Sequence, residues 1–439
     1  MVTMKSLKQE FSKYVCFNIL GMLGLSFYIL ADTYFISAKL GSIGLTSLNI
    51  AIPVYSLISA LGIMIGIGGS TRYSIYQSQQ QKEKANNIFA FSIFLGVILG
   101  ICFLLIGIFC STPIAYMLGA REEILPNTSI YLKTIMSFAP FFLLNNIFIA
   151  YIRNDFAPRL SMIAMLTGSF SNIILDYVFM FPLNMGMFGA AFATGLSPVI
   201  SLLILMSHFF NPKHQLHFHF QRNCISFSAL RSIISLGISS FINEFSSGIV
   251  LIIFNLLILK YTGNTGVAAY GIVANLSLIS VAVFTGIAQG SQPLISSYYG
   301  KGDSLSVRKL YSFSCITAFI LGVFIVLSVY LFTDPLIAIF NSEQDEQLRT
   351  LAFTGLRLYF IGFFFAGINI VSTAWFSAVE QAKKAFILSF FRGAIGIIAV
   401  VILLSSVLHM TGIWIAFPTT ELLCTILCFF FLYQYKKSL

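Results

Sequence analysis

The chain has 439 residues, of which 58% are hydrophobic and 9% charged, and a mean hydropathy of +0.91. Soluble domains carry about 25% charged residues, so the composition excludes an ordinary globular enzyme and argues for a membrane protein. The net charge of +10 suggests nucleic acid at first sight, but the positions of the basic residues give it another meaning.

Apolar stretches of about 20 residues, long enough to cross ~30 Å of hydrocarbon, recur twelve times. In chain order they are 14–38, 46–71, 87–110, 128–150, 160–181, 187–210, 232–259, 266–297, 310–333, 350–375, 385–408 and 412–434. If Lys5, Lys8 and Lys13 are cytoplasmic, the inner segments hold 18 of the 25 basic residues. The outer segments hold Lys39, Arg121, Lys133, Lys260, Arg349 and Arg357, and Arg392 falls inside a span. That bias places both termini in the cytoplasm. The excess charge is a topology signal, and nucleic acid is not an expected partner. The first apolar run is too long for a cleavable signal peptide.

The first span carries Asp32 about 18 residues in, roughly 27 Å along a helix. Phe17, Gly21, Gly24, Tyr28 and Asp32 follow a 4-3-4-4 spacing and share one face. In the fifth span Gly168, Asn172 and Asp176 are four apart, and Asp176 lies ~24 Å in. Thr194 in the sixth span is at a similar level. A carboxylate in hydrocarbon persists only with a partner, a proton or a cation. Two of them in one dry pocket cannot both ionise cheaply, so such a pair would exchange protons, or hold Na⁺ if hydrated. Helix capping is the alternative for each aspartate.

In the seventh span Glu244 shares helical spacing with Ser240, Ser247 and Asn255, a second candidate site for a cation or substrate. Arg392 and Glu421 are each about nine residues into oppositely directed spans and read as a structural ion pair. Cys16, Cys102, Cys110, Cys315, Cys424, Cys428 and Cys224 read as apolar filler, without a disulfide framework. His214, His217 and His219 in the central linker lack metal-ligand spacing, and no metal or other cofactor is expected. The GxxxxGK[ST] pattern is absent, so the expected energy source is an ion gradient or a partner and not ATP through that motif.

The chain repeats itself at an offset of 222. Gly41 pairs with Gly263, Gly44 with Gly266, Gly68 with Gly290, Ser74 with Ser296, Phe91 with Phe313 and Ser92 with Ser314. Later the offset becomes 226, where Gly186 pairs with Gly412, Ala190 with Ala416 and Thr194 with Thr420. The expected halves are 1–212 and 213–439, six spans each. An even number of spans per half makes the repeats parallel, about an axis along the membrane normal. The expected fold is therefore all-α: twelve transmembrane helices in two six-helix bundles around a central cleft.

At ADTYFISAKLG (31–41), NIILDYVFMFPLNMGMFGAAFAT (172–194), GNTGVAAYGIVANLSLISVAVFTGIAQGSQPLISSYYGKGD (263–303) and GIWIAFP (412–418), the chain resembles the multidrug and toxic compound extrusion (MATE) family, essentially end to end. FINEFSSGIVLIIFN (241–255) looks most like its bacterial branch of DinF-like and MepA-like exporters. The resemblance implies a monomeric rocker-switch antiporter of the bacterial inner membrane. Such a protein expels hydrophobic and cationic compounds against H⁺ or Na⁺. It also implies that Asp32 is the main coupling residue, within a polar cluster of Tyr28, Asn146, Asn172, Asp176 and Thr194. Relatives often carry a proline early in the first span, where this chain has Phe17. The rival readings are a lipid-linked oligosaccharide flippase, which needs a basic cleft, and a non-transporting membrane scaffold or sensor.

Overall fold

The computed structural model describes residues 4–212, 214–218, 226–341 and 344–437, with only the backbone described for Lys436. His219 and Cys224, singled out above, lie outside these residues, as do Lys213 and Arg222 of the inner basic residues. Among the described residues every regular element is helical. The first half holds α1 (Met4–Ser78), α2 (Lys82–Met117), α3 (Ile124–Ser137), α4 (Ala139–Asn154), α5 (Pro158–Met180) and α6 (Gly186–Met206). The second holds α7 (Phe227–Gly300), α8 (Ser304–Leu331), α9 (Thr333–Phe340), α10 (Glu346–Phe360), α11 (Phe363–Ala378), α12 (Ala382–Phe390) and α13 (Gly396–Lys437).

A straight helix of the 75 residues in α1 would be about 110 Å long, several times the thickness of a bilayer. Yet the hydroxyls of Tyr28 and Tyr55 are 2.9 Å apart, where a straight helix would separate them by ~40 Å. The chain therefore doubles back inside α1. It does so at Gly41, with φ 61° and ψ −150°, a region that only glycine occupies without strain. The same reversal occurs in α7 at Gly263, with φ 65° and ψ −156°, where the rings of Phe254 and Tyr270 come back to within 5.3 Å. These glycines are the pair that the repeat offset matched. A third break is at His409 in α13.

Among the described residues seven helices, counting the run from α12 into α13 as one, are long and apolar enough to cross a membrane. Two pairs, α3 with α4 and α10 with α11, qualify jointly, bent by 49° and 47°. Pro140 at the start of α4 explains the first bend, because it lacks the N–H that would continue α3. The second falls at Ile361–Gly362. Three of these candidate crossings contain the breaks just described.

The buried apolar residues form three clusters. One is drawn from 254–431 together with Leu7, Phe11, Tyr14 and Val15 at the start of α1. The other two come from 36–191 and 65–233. The halves meet at the end of the bundle that carries the N-terminus. There Gly68 lies against Ile233 and Gly237, and Gly290 against Tyr14 and Val15, two contacts related by the same 222-residue shift. Polar bonds reinforce them. Gln292 Nε2 donates to Thr71 at 2.8 Å, Arg153 donates to Gln289 at 2.9 Å, and Arg72 donates to Ser232 at 2.7 Å and pairs with Glu380.

The reversals set a testable cost. Gly41→Ala and Gly263→Ala should each destabilise the protein by about 1–3 kcal/mol, because alanine is strained at those angles. Thermal unfolding of the purified protein in detergent should show midpoints lowered by similar amounts in the two variants. Unchanged midpoints would contradict the assignment of these glycines as obligate hairpin turns.

Candidate functional site

Four helices of the first half, α1, α3, α5 and α6, build the site. The first limb of α1 packs along α5 through Gly21 and Gly24. A Cβ on Gly24 would stand 2.6 Å from Leu166 Cδ2, and one on Gly21 2.9 Å from Met165 Sδ. Lacking side chains there, the two helices approach closely, and the acidic residues further along each face one another. Asp32 is 7% exposed and Asp176 0%. Their carboxyl groups lie within hydrogen-bonding reach of each other, so one proton shared between them would make a bond. Oδ1 of each is buried without a partner. Buried oxygens of that kind are costly unless a hydrogen-bond donor or a cation meets them.

Asn172, one turn before Asp176, completes the pair's surroundings. With its amide nitrogen toward Asp176 Oδ2 at 3.0 Å, its oxygen accepts from the Thr194 N–H at 3.3 Å. The opposite orientation leaves only a long bond to Thr194 Oγ1 at 3.4 Å, so the hydrogen-bond network selects the first. The Tyr131 hydroxyl also reaches Thr194 and lies close enough to both aspartates to feel their charge. The pocket thus offers carboxyl, amide and hydroxyl oxygens to a small cation, and a shared site to a proton.

Of the residues expected here, the structure brings together Asp32, Asp176, Asn172 and Thr194. Tyr28 is adjacent, but its hydroxyl pairs with Tyr55 and not with Asp32. Asn146 has no recorded bond to the cluster and packs instead against Gly62 and Gly66 of α1. Tyr55 and Tyr131 were missed by sequence reasoning, since a tyrosine in an apolar span carries no signal of its own. Tyr55 becomes visible only once the hairpin at Gly41 returns it to Tyr28.

The second candidate site is not assembled as expected. Ser247 Oγ donates to the backbone oxygen of Glu244 at 2.7 Å, the usual habit of serine within a helix. Ser240 and Asn255 show no bond to the Glu244 carboxyl. That carboxyl turns across the interface to Ser59 of α1, close to Tyr55. Glu244 thus joins the wall between the halves, in place of a pocket of its own.

Arg392 and Glu421 do meet. A single π-helical turn, Phe391–Ile395, carries Arg392, whose Nε donates to Glu421 Oε1 at 2.6 Å. Asn369 Nδ2 donates to Oε2 at 2.7 Å, so both carboxylate oxygens are satisfied. Other polar groups are buried as well. Arg153, one of the 18 basic residues of the inner segments, is buried between the halves, bonded to Asn18 at 2.6 Å and to Gln289. Asp155 and His208 form a buried pair at 2.7 Å, with Tyr73 donating to Asp155 at 3.1 Å. Neither member had a spacing that marked it. Among the described residues no group of three or more His, Cys, Asp or Glu could hold a metal ion, and the six described cysteines are unpaired.

Comparison with known proteins adds the following. Residues 18–178 and 238–402 match the MatE family profile. The multidrug export protein MepA of Staphylococcus saprophyticus is 29% identical over 94% of this chain and 90% of its own length. MepA of Staphylococcus aureus (strain MSSA476) is 28% identical over the same shares. A solved structure described as the outward-facing conformation of a multidrug resistance MATE family transporter of the MOP superfamily superposes with a TM-score of 0.92. It is 22% identical, covering 98% of this chain and 96% of that one.

The ion pair predicts an asymmetric response. Arg392→Met strands the buried Glu421 and should cost about 3–5 kcal/mol, whereas Arg392→Met with Glu421→Gln removes both charges and should recover most of that loss. Thermal unfolding in detergent reads both variants. A double variant no more stable than the single one would contradict a structural role for the pair.

Proposed function

The chain belongs to the MatE family, and on that premise we propose that it is a secondary active multidrug efflux transporter of the bacterial plasma membrane. It exports hydrophobic and cationic compounds in exchange for H⁺ or Na⁺. The observation that carries the reading is the paired, buried Asp32 and Asp176, each with an oxygen lacking a partner. A proton or Na⁺ arriving from outside occupies the pair and cancels its charge. A cationic substrate, coming from the cytoplasm, is favoured when the pair is charged. Because ion and substrate draw on the same charge, each weakens the other's binding, and the coupling is reciprocal.

The two halves are proposed as lobes, 1–212 and 213–439, that rock about their interface, with the chain crossing the membrane twelve times and both termini cytoplasmic. In that orientation the lobes are closed on the cytoplasmic side, where Gly68 and Gly290 make their contacts, and the cleft faces outward. The superposition on an outward-facing relative supports this state. Aromatic and methionine surfaces suit hydrophobic cations, and the chain has 46 Phe and 13 Met. A flippase for pyrophosphate-linked cargo is disfavoured. Arg392 is neutralised by Glu421, and Arg153 is held by amide oxygens at the closed end.

Expression in a drug-sensitive bacterial host should raise resistance to cationic dyes. Asp32→Asn should return it to the level of the empty host with the protein still present in membranes. In proteoliposomes, ΔpH or ΔpNa imposed separately should drive dye movement, and whichever succeeds names the coupling ion. An Asp32→Asn variant that transports as well as the parent, or failure of both gradients, would refute the proposal.

A further inference from the structure

Where the end of α1's second limb, the start of α2 and the start of α7 converge, a cavity of about 330 Å³ opens at the N-terminal end of the bundle. Arg72, Lys84 and Arg231 line it, from α1, α2 and α7 respectively, with Tyr76, Ser228 and Ser235 between them. No carboxylate is among the lining residues. Lys84 and Arg231 have no ion pair among the described residues, and both side chains are exposed. Lys84 and Arg72 both lean over the ring of Tyr76, at 5.8 and 5.4 Å, which holds the two cations in one place.

The floor of the cavity is the first turn of α7. Ser226 caps it by accepting from the Ala229 N–H at 3.2 Å, which leaves the amides of 227 and 228 without helical acceptors. Amides and the helix dipole there add to the three side-chain cations. Phe227, at the same point, is 82% exposed, as a ring at a lipid interface would be. The fold does not demand this charge. At the 222-residue offset the counterparts of Arg72 and Lys84 are Leu294 and Ser306, and those of Arg231 and Ser232 are Gln9 and Glu10. The duplication kept the helices but not these three basic positions.

We propose that this cavity binds a phosphate group, either from an anionic phospholipid headgroup or from a soluble phosphate. Arg72 is the link to the rest of the molecule. Its Nε donates to Ser232 at 2.7 Å, and its Nη1 pairs with Glu380 in the turn between α11 and α12. A phosphate, which accepts a bidentate bond from a guanidinium, competes with Glu380 for Arg72. It thereby loosens a contact that holds the two halves together. This last consequence rests on the rocking of the lobes proposed above, whereas binding itself does not, so the two can fail separately.

The test uses the full chain purified in dodecyl maltoside at fixed ionic strength. Its thermal unfolding midpoint is followed against dioctanoyl phosphatidylglycerol, dioctanoyl phosphatidylcholine and inorganic phosphate. The anionic lipid, inorganic phosphate, or both should raise the midpoint saturably; which of them does so identifies the source. Lys84→Ala with Arg231→Ala, both exposed and remote from the aspartate pair, should raise the half-saturating concentration by roughly tenfold. Glu380→Gln, which removes the competitor, should lower it. A midpoint insensitive to both ligands, an equal response to the zwitterionic lipid, or a double variant that titrates like the parent would overturn the proposal.

Discussion

The proposed mechanism depends on two carboxyl groups, Asp32 and Asp176, buried side by side. Burying one uncompensated carboxylate costs several kcal/mol, and placing a second against it adds repulsion to desolvation. The chain accepts that cost at Asp32 and Asp176 and does not relieve it with a basic partner. At Arg392, by contrast, it supplies Glu421, and Asn369 takes the second carboxylate oxygen, so that pair is internally neutralised. The contrast supports the proposal that the aspartate pair changes its charge during transport, whereas the Arg392–Glu421 pair keeps it.

The energies involved match the scale of the proposed motion. Moving a two-state equilibrium from 1:99 to 99:1 takes about 5.5 kcal/mol of differential stabilisation. The closed end is held by glycine-lined helix contacts and a few polar bonds, each of about 1 kcal/mol net, with Arg72 and Glu380 partly exposed and worth no more. Neutralising a buried carboxylate is therefore large enough to open such a seam. A line of contacts connects the two regions. Tyr28 beside Asp32 bonds Tyr55, and one turn further along α1 Ser59 meets Glu244 of the opposite half.

Much of the fold was legible from residue pattern, for identifiable reasons. Hydrocarbon thickness fixes span length, so apolar runs of twenty residues mark helices directly. The 222-residue offset placed Gly41 opposite Gly263, and both carry the same backbone angles because both make the same hairpin. Asp32 and Asp176 were readable because a lone acid in an apolar run is expensive, and the four-residue spacing set Asn172 beside Asp176. What could not be read was whatever depended on helices meeting. Tyr55 and Tyr131 look like any aromatic residue, and Arg153 and Asp155 sit beside a loop where charge is ordinary. Ser240, Ser247 and Asn255 had the right spacing for Glu244, but Ser247 bonds its own helix backbone, and the Glu244 carboxyl lies toward Ser59 on another helix.

The most direct examination of the aspartate pair is to follow protons and Na⁺ when a cationic dye binds to the purified protein in weakly buffered detergent solution. The account predicts that dye binding releases the coupling ion, that raising that ion's concentration weakens dye binding, and that both effects disappear in Asp32→Asn. Dye binding that releases neither ion, or release that persists unchanged in the variant, would contradict it.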